Sequence, residues 1–145
     1  MLIGLDRRLT PELLYALAAM GHGDQLTIVD ANYPAHAAGR ATPWGACVDF
    51  GGSSIEALDA ILSVFPIDTF EPQDAPVRAM QQVNMPDSPA EAVMDAQPVI
   101  RAAGHEICMT ERFAFYAQAA KSFVIIRTRE LRPYGNFILR KGVIL

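Results

Sequence analysis

The sequence predicts an α/β fold, a single three-layer α/β/α domain over residues 1–145 with a mostly parallel central sheet. Three observations predict it. Amphipathic helical segments alternate with short apolar runs, the pattern of helices packed on both faces of a buried sheet. The helical segments open on capping signals such as Thr10-Pro11-Glu12 and Ser53-Ser54-Ile55-Glu56. The 145 residues suit one domain with its own core, and no repeat, low-complexity tract or long linker divides them.

The elements follow in order. Thr10 caps a helix, Pro11 loses nothing at the first helical position, and Glu12 suits the positive end of the dipole. Leu13, Leu17 and Met20 share its apolar face, so it runs from Pro11 to about Met20, and Gly21 is expected to leave it in a left-handed conformation. Leu26–Val29 reads as a buried strand with Asp30 at its carboxyl end, and Cys47–Phe50 as a second. The Ser53 capping box starts a helix through Leu58, Ile61, Leu62 and Phe65 that Pro66 stops. A proline-rich loop spans Pro66–Pro76, and Val77–Val83 reads as a strand. Ser88-Pro89-Ala90-Glu91 repeats the cap signature before a helix that Pro98 is expected to break or kink. Glu106–Met109 reads as a short strand, Thr110 opens a helix to Ala120, and Ser122–Arg127 is strand-like. The turn Pro133-Tyr134-Gly135-Asn136 leads into the strand Phe137–Leu139, with another expected at Val143–Leu145.

Composition narrows the function. Hydrophobic residues make up 51% of the chain and charged residues 19%, so part of the surface is expected to be covered by further copies in a homo-oligomer. A net charge of −4 argues against general binding to nucleic acid or an anionic membrane, which needs excess Lys and Arg. From Arg112 onward seven basic residues face one acid, Glu130; they read as a basic patch or as solvated strand ends and turns. Cys47 and Cys108 have no CxxC and no histidine at metal-ligand spacing, which fits a reducing compartment. No leader-like segment or membrane-length apolar run is seen, and the reading is a cytoplasmic protein.

Four places carry candidate chemistry. His22 stands between Gly21 and Gly23, where imidazole can exchange protons near neutral pH and the glycines permit close approach. Asp30 lies at a strand's carboxyl end, where α/β sheets gather ligands and a carboxylate can hold hydroxyls; alternatively it is a turn aspartate binding backbone amides. Arg112 sits in the first turn of its helix, where the dipole disfavours a cation, so a fixed partner such as a ligand or Glu111 would explain it. Tyr134-Gly135-Asn136 offers a phenol and an amide on a tight turn, suited to a polyol. The separations of His22, Asp24 and His36 match no metal-ligand spacing, so no metal is expected. Gly51-Gly52-Ser53-Ser54 lacks the lysine of a P-loop, and no nucleophile elbow occurs.

Six stretches together carry a family resemblance. Leu9-Thr10-Pro11-Glu12-Leu13-Leu14 leads into Met20-Gly21-His22-Gly23-Asp24, followed by Asp30-Ala31-Asn32-Tyr33-Pro34-Ala35 and Arg112-Phe113-Ala114-Phe115-Tyr116. Tyr134-Gly135-Asn136 with Lys141-Gly142-Val143 completes the set. The sequence resembles the L-fucose mutarotase and D-ribose pyranase family, and Arg112 with its neighbours looks like the fucose branch. The resemblance implies a cofactor-free sugar mutarotase acting on a free monosaccharide and assembled as a subunit ring, often a decamer. It implies His22 as general acid/base, with Asp30, Arg112 and the Tyr134-Gly135-Asn136 turn around the sugar. Tyr134 is the second candidate for proton transfer. The alternatives are a D-ribose pyranase or a monosaccharide-binding, transport-accessory protein without catalysis. Geometry raises one demand. If residues 25–30 are extended, His22 and Asp30 lie roughly 20 Å apart, so either the glycine turn folds back over the sheet edge or sites combine residues of neighbouring subunits.

Overall fold

The computed structural model describes residues 2–145. Its strands are β1 (Gln25–Val29), β2 (Cys47–Asp49), β3 (Val77–Met80), β4 (Cys108–Thr110), β5 (Val124–Arg127) and β6 (Phe137–Arg140). They form one sheet in the order β2-β5-β1-β6-β3-β4. β5 is parallel to β1 and β2, and β3 is parallel to β4; β6 alone runs antiparallel to both its neighbours, β1 and β3. The helices are α1 (Pro11–Ala19), α2 (Ala35–Arg40), α3 (Ser54–Leu62), α4 (Glu91–Ala102) and α5 (Arg112–Ala119).

Alternation along the strands builds two apolar layers. Leu26 and Ile28 of β1, with Val124, Ile126 and Leu139, meet Leu13 and Leu17 of α1, Leu58 and Ile61 of α3, and Val93 and Ile100 of α4. On the opposite face Val29, Ile125, Ile138 and Met80 meet Ala35 of α2 and Phe115 and Ala119 of α5. This is the expected three-layer α/β/α arrangement with a mostly parallel sheet.

Several boundaries differ from expectation, each for a local reason. Thr10 Oγ1 accepts the Leu13 amide at 3.2 Å as expected. At the other end of α1, however, Met20 is already extended and the left-handed residue is Gly23 (φ 85°), not Gly21. Lys141 explains this: its Nζ donates to the carbonyls of Leu17 and Met20 at 2.8 and 2.6 Å, so the helix end needs no glycine cap. Ser88 does not cap α4, because its amide bonds to the Met85 carbonyl and its carbonyl accepts from Gln82, closing a turn instead. Pro98 does not break α4. It and Met94, whose carbonyl loses the bond, are both exposed, so that carbonyl lies on the solvent side of the helix. The cap of α5 is Glu111, whose carboxylate accepts the amides of Phe113 and Ala114; Thr110 ends β4. β3 stops at Met80 because β4, its partner, ends at Thr110, and Val143–Leu145 form no strand.

The basic residues near the carboxyl end are largely committed to internal partners. Arg127 pairs with Asp49, Arg132 with Glu130, Glu91 and Asp95, and Arg140 with Asp68 and Asp74. Among the described residues no helix is long and apolar enough to cross a membrane.

Candidate active site

The antiparallel insertion of β6 creates the site. Its register pairs Ile28 with Phe137, so continuing the ladder sets Asp30 beside the residues that precede β6. The carboxyl ends of β3 and β4 arrive at the same edge, bringing Met80 and, through the start of α5, Arg112. A cavity of about 230 Å³ opens there, lined by Asp30, Tyr33, Met80, Arg112, Tyr116, Tyr134 and Asn136, with Asn32 and Pro133 at its wall.

Asp30 and Asn136 form a reciprocal pair. The Asp30 amide donates to Asn136 Oδ1 at 2.8 Å, and Asn136 Nδ2 donates to Asp30 Oδ2 at 3.0 Å. Asp30 Oδ1 accepts the amides of Asn32 and Tyr33, both at 3.0 Å. Asp30 is thus a turn aspartate and a cavity-wall carboxylate at once. Burial pushes its carboxyl above the ordinary value, against the opposing pull of the Asn32, Asn136, Tyr33 and Gly135 donors. Burial also pushes the Tyr33 phenol up to about 12, with Tyr116 and Asp30 adding to the effect, so it stays a neutral donor.

Arg112 has no carboxylate partner among the described residues; its guanidinium lies over the Tyr116 ring at 5.8 Å, and that ring stacks on Tyr33 at 5.2 Å. Its placement in the first turn of α5 is offset by the Glu111 cap and leaves its donors facing the cavity. Tyr134 holds a left-handed backbone (φ 63°), an uncommon conformation for a bulky residue and one that concentrates at functional sites. Gly135 lies behind the wall. A Cβ there would sit 2.7 Å from Glu130 Cγ, and its carbonyl accepts Ser54 Oγ at 2.6 Å.

The structure brings together Asp30, Arg112, Tyr134 and Asn136, with Gly135 adjoining them. His22 is elsewhere. It stands at the amino end of β1, with the strand's length between it and Asp30, and the glycine turn does not fold back. Gly23 and Lys141 instead lock that turn to the end of β6, through Gly23 N to Lys141 O at 2.9 Å and Lys141 N to Asp24 O at 2.8 Å. His22 Nε2 lies 3.2 Å from Asp68 Oδ1, and its ring meets Phe70 edge-on at 5.6 Å. His36 engages Cys47 and Arg127, so His22, Asp24 and His36 do not converge.

Sequence reasoning did not assign Tyr33, Met80, Tyr116 or Asp68. Tyr116 had a usable signal, since it follows Arg112 by four residues on one helix face.

A model of the RbsD / FucU transport protein family matches residues 4–144. The chain belongs to this family. Among relatives of this RbsD/FucU chain, the fucose mutarotase of Danio rerio is 40% identical over 144 residues, covering 97% of this chain and 93% of its own. The fucose mutarotase of Homo sapiens is 37% identical over 148 residues with the same coverage. A crystal structure of the fucose mutarotase in complex with L-fucose from Streptococcus pneumoniae superposes with a TM-score of 0.84 at 29% identity, covering 99% of this RbsD/FucU chain and 100% of that one.

Proposed function

We propose that this protein is a cofactor-independent sugar mutarotase that interconverts the α and β anomers of L-fucose. The observation that carries the reading is the cavity itself. Asp30, Asn136, Arg112 and Tyr134 present polar groups around a stacked Tyr33–Tyr116 wall, in a chain 40% identical to a fucose mutarotase. Fixed acceptors and donors suit sugar hydroxyls, and aromatic rings suit the apolar face of the sugar.

Mutarotation needs a proton removed from the anomeric hydroxyl and one delivered to the ring oxygen; the open aldehyde then rotates and recloses. In this reading His22 and Tyr134 transfer the protons, each group worth about 10²–10⁴-fold. Asp30, Arg112, Tyr134, Gly135 and Asn136 form the sugar-binding wall. His22 comes from a neighbouring copy, because its own chain holds it at the far end of β1. The reading therefore includes a homo-oligomeric ring, with a decamer as the expected form. An exposed apolar groove supports the assembly: Leu2, Ile3, Leu5, Leu9 and Leu14 line about 700 Å³ of it. Two free thiols, Cys47 and Cys108, support a reducing cytoplasmic setting.

Saturation-transfer NMR on equilibrated L-fucose tests the proposal. Wild-type protein is expected to accelerate anomer exchange, and His22→Ala to lose about 10²-fold or more of that acceleration. Equal rates for the two would overturn the role of His22. Running D-ribose in parallel separates pyranase activity, and calorimetric sugar binding without faster exchange would mark a binding protein instead.

A further inference from the structure

We infer that Asp68 is the positioning residue of His22: it keeps the ring hydrogen on Nε2 and leaves the Nδ1 lone pair to face the sugar. The inference rests on the reading of His22 as the proton-transfer residue. It adds the group that decides which nitrogen does the work.

The geometry is a buried acceptor holding a half-exposed ring. The Asp68 side chain is 1% exposed and that of His22 45%, so one imidazole nitrogen is anchored in the protein while the other is open to approach. Asp68 Oδ1 accepts the Phe70 amide at 3.0 Å as well as meeting His22 Nε2, and Oδ2 accepts Arg140 Nε at 2.8 Å. Arg140 is itself buried. Its remaining guanidinium nitrogens bond the Asp74 carboxylate and, at 2.7 Å, the Asp74 carbonyl, while Asp74 is further held by Arg78. The carboxylate therefore has no freedom to turn away from the ring. Phe70 packs against the imidazole edge-on and limits its swing.

An ionised carboxylate only accepts hydrogen bonds, so the hydrogen between Oδ1 and Nε2 belongs to the ring. The Phe70 amide, aided by His22 and Arg140, holds the Asp68 carboxyl below its ordinary value despite burial, which keeps it ionised at neutral pH. The neutral ring then carries its lone pair on Nδ1. Nδ1 takes the proton of the anomeric hydroxyl as that O–H electron pair becomes the carbonyl and the ring C–O bond breaks; the ring oxygen takes its proton from Tyr134 or from water. The imidazolium so formed faces Asp68. Ring closure runs the same transfers backward.

The test uses the full-length assembled protein and three forms: wild type, Asp68→Asn and His22→Ala/Asp68→Asn. In Asp68→Asn the charged Arg140 donor outcompetes the Phe70 amide for the single amide oxygen, so the amide nitrogen points at His22 and donates to Nε2, forcing the hydrogen onto Nδ1. Tautomer inversion of this kind disables a histidine base held by an aspartate. Nitrogen-15 NMR of the imidazole is expected to show protonated Nε2 in wild type and protonated Nδ1 in the variant. The kcat for fucose exchange is expected to fall about tenfold or more with KM little changed. The double variant is expected to match His22→Ala alone. A wild-type ring protonated on Nδ1 would overturn the inference, and that measurement needs no variant to fold. A further loss in the double variant would also overturn it, since Asp68 would then act elsewhere. Wild-type exchange in His22→Ala would instead sink the functional reading, while the nitrogen-15 result would still report on the Asp68–His22 contact.

Discussion

Asp30 combines two readings that its position left open, since one oxygen binds turn amides and the other meets Asn136 at the cavity wall. That much was legible because a strand end is a predictable place. Tyr116 offered only its spacing from Arg112; Tyr33 was not legible, because an aromatic near a helix reads equally well as core, and Asp68 was not, because 46 residues of chain separate it from His22. The charged residues also make a prediction about acid. The Phe70 amide holds Asp68 below its ordinary carboxyl value, Arg78 does so for Asp74, and Arg132 for Glu130. For these three the unfolded chain binds protons at a higher pH than the fold does, so stability rises with pH between the two values. Their contribution is complete above the unfolded values and is lost as pH falls through roughly 4 and below. Asp30 has the opposite sign: its raised value makes its contribution complete at low pH and lost as pH rises through the folded value. Asp6 and Glu111 are held low as well, so the lowered carboxyls outnumber the raised Asp30. The melting temperature is therefore expected to fall on acidification from about pH 6 to pH 3, and a flat or rising profile would contradict the assignment.

At the scale of elements, capping and periodicity made α1, α3, β1 and β5 readable, whereas α2 escaped because it is six residues long and its preceding Pro34 supplies no side-chain cap. Gly39 within it looks like a helix breaker until the packing is seen. A Cβ there would sit 2.4 Å from the Cys47 amide nitrogen, so only glycine lets α2 lie against β2. The helix α4 makes a prediction of its own. Pro98 removes one backbone bond on the solvent side of an otherwise continuous helix, so Pro98→Ala is expected to stabilise the protein by about 1–3 kcal/mol. An unchanged or lower melting temperature would show that the missing bond has no cost. The same helix anchors the loop bearing Tyr134 and Asn136. Arg132 reaches Asp95 at 2.6 Å and Glu91 at 3.3 Å from the loop while pairing with Glu130 at 2.8 Å. Because Glu130 is 4% exposed, Arg132→Ala leaves a buried carboxylate without its cation. The expected loss is roughly 3 kcal/mol or more, read by denaturant unfolding, with weaker sugar binding as the loop loosens. Wild-type stability would place Glu130's balance elsewhere.

At the scale of the molecule, one sheet carries the two halves of the proposed chemistry at opposite ends. β6 explains both positions: its start sets Asn136 beside Asp30, and its end sets Lys141 on the turn that holds His22. On the proposed reading the two halves join only through a second copy, whose His22 end would face the first copy's cavity. That arrangement predicts rescue between two inactive variants. Subunits of His22→Ala keep an intact cavity, and subunits of Asn136→Ala keep an intact His22, so each homogeneous assembly is inactive. When the two are unfolded, mixed in equal amounts and refolded together, a site regains both halves if its cavity comes from the first variant and its histidine from the second. Random assembly meets that condition at about a quarter of the sites, so fucose exchange is expected to recover to about that fraction of wild type. Sites completed within one chain would give no recovery at any mixing ratio, because every subunit would carry one defect. Refolding the variants separately and mixing them afterwards supplies the control: stable assemblies do not exchange subunits and stay inactive, so recovery confined to the co-refolded sample would assign the histidine to the neighbouring copy.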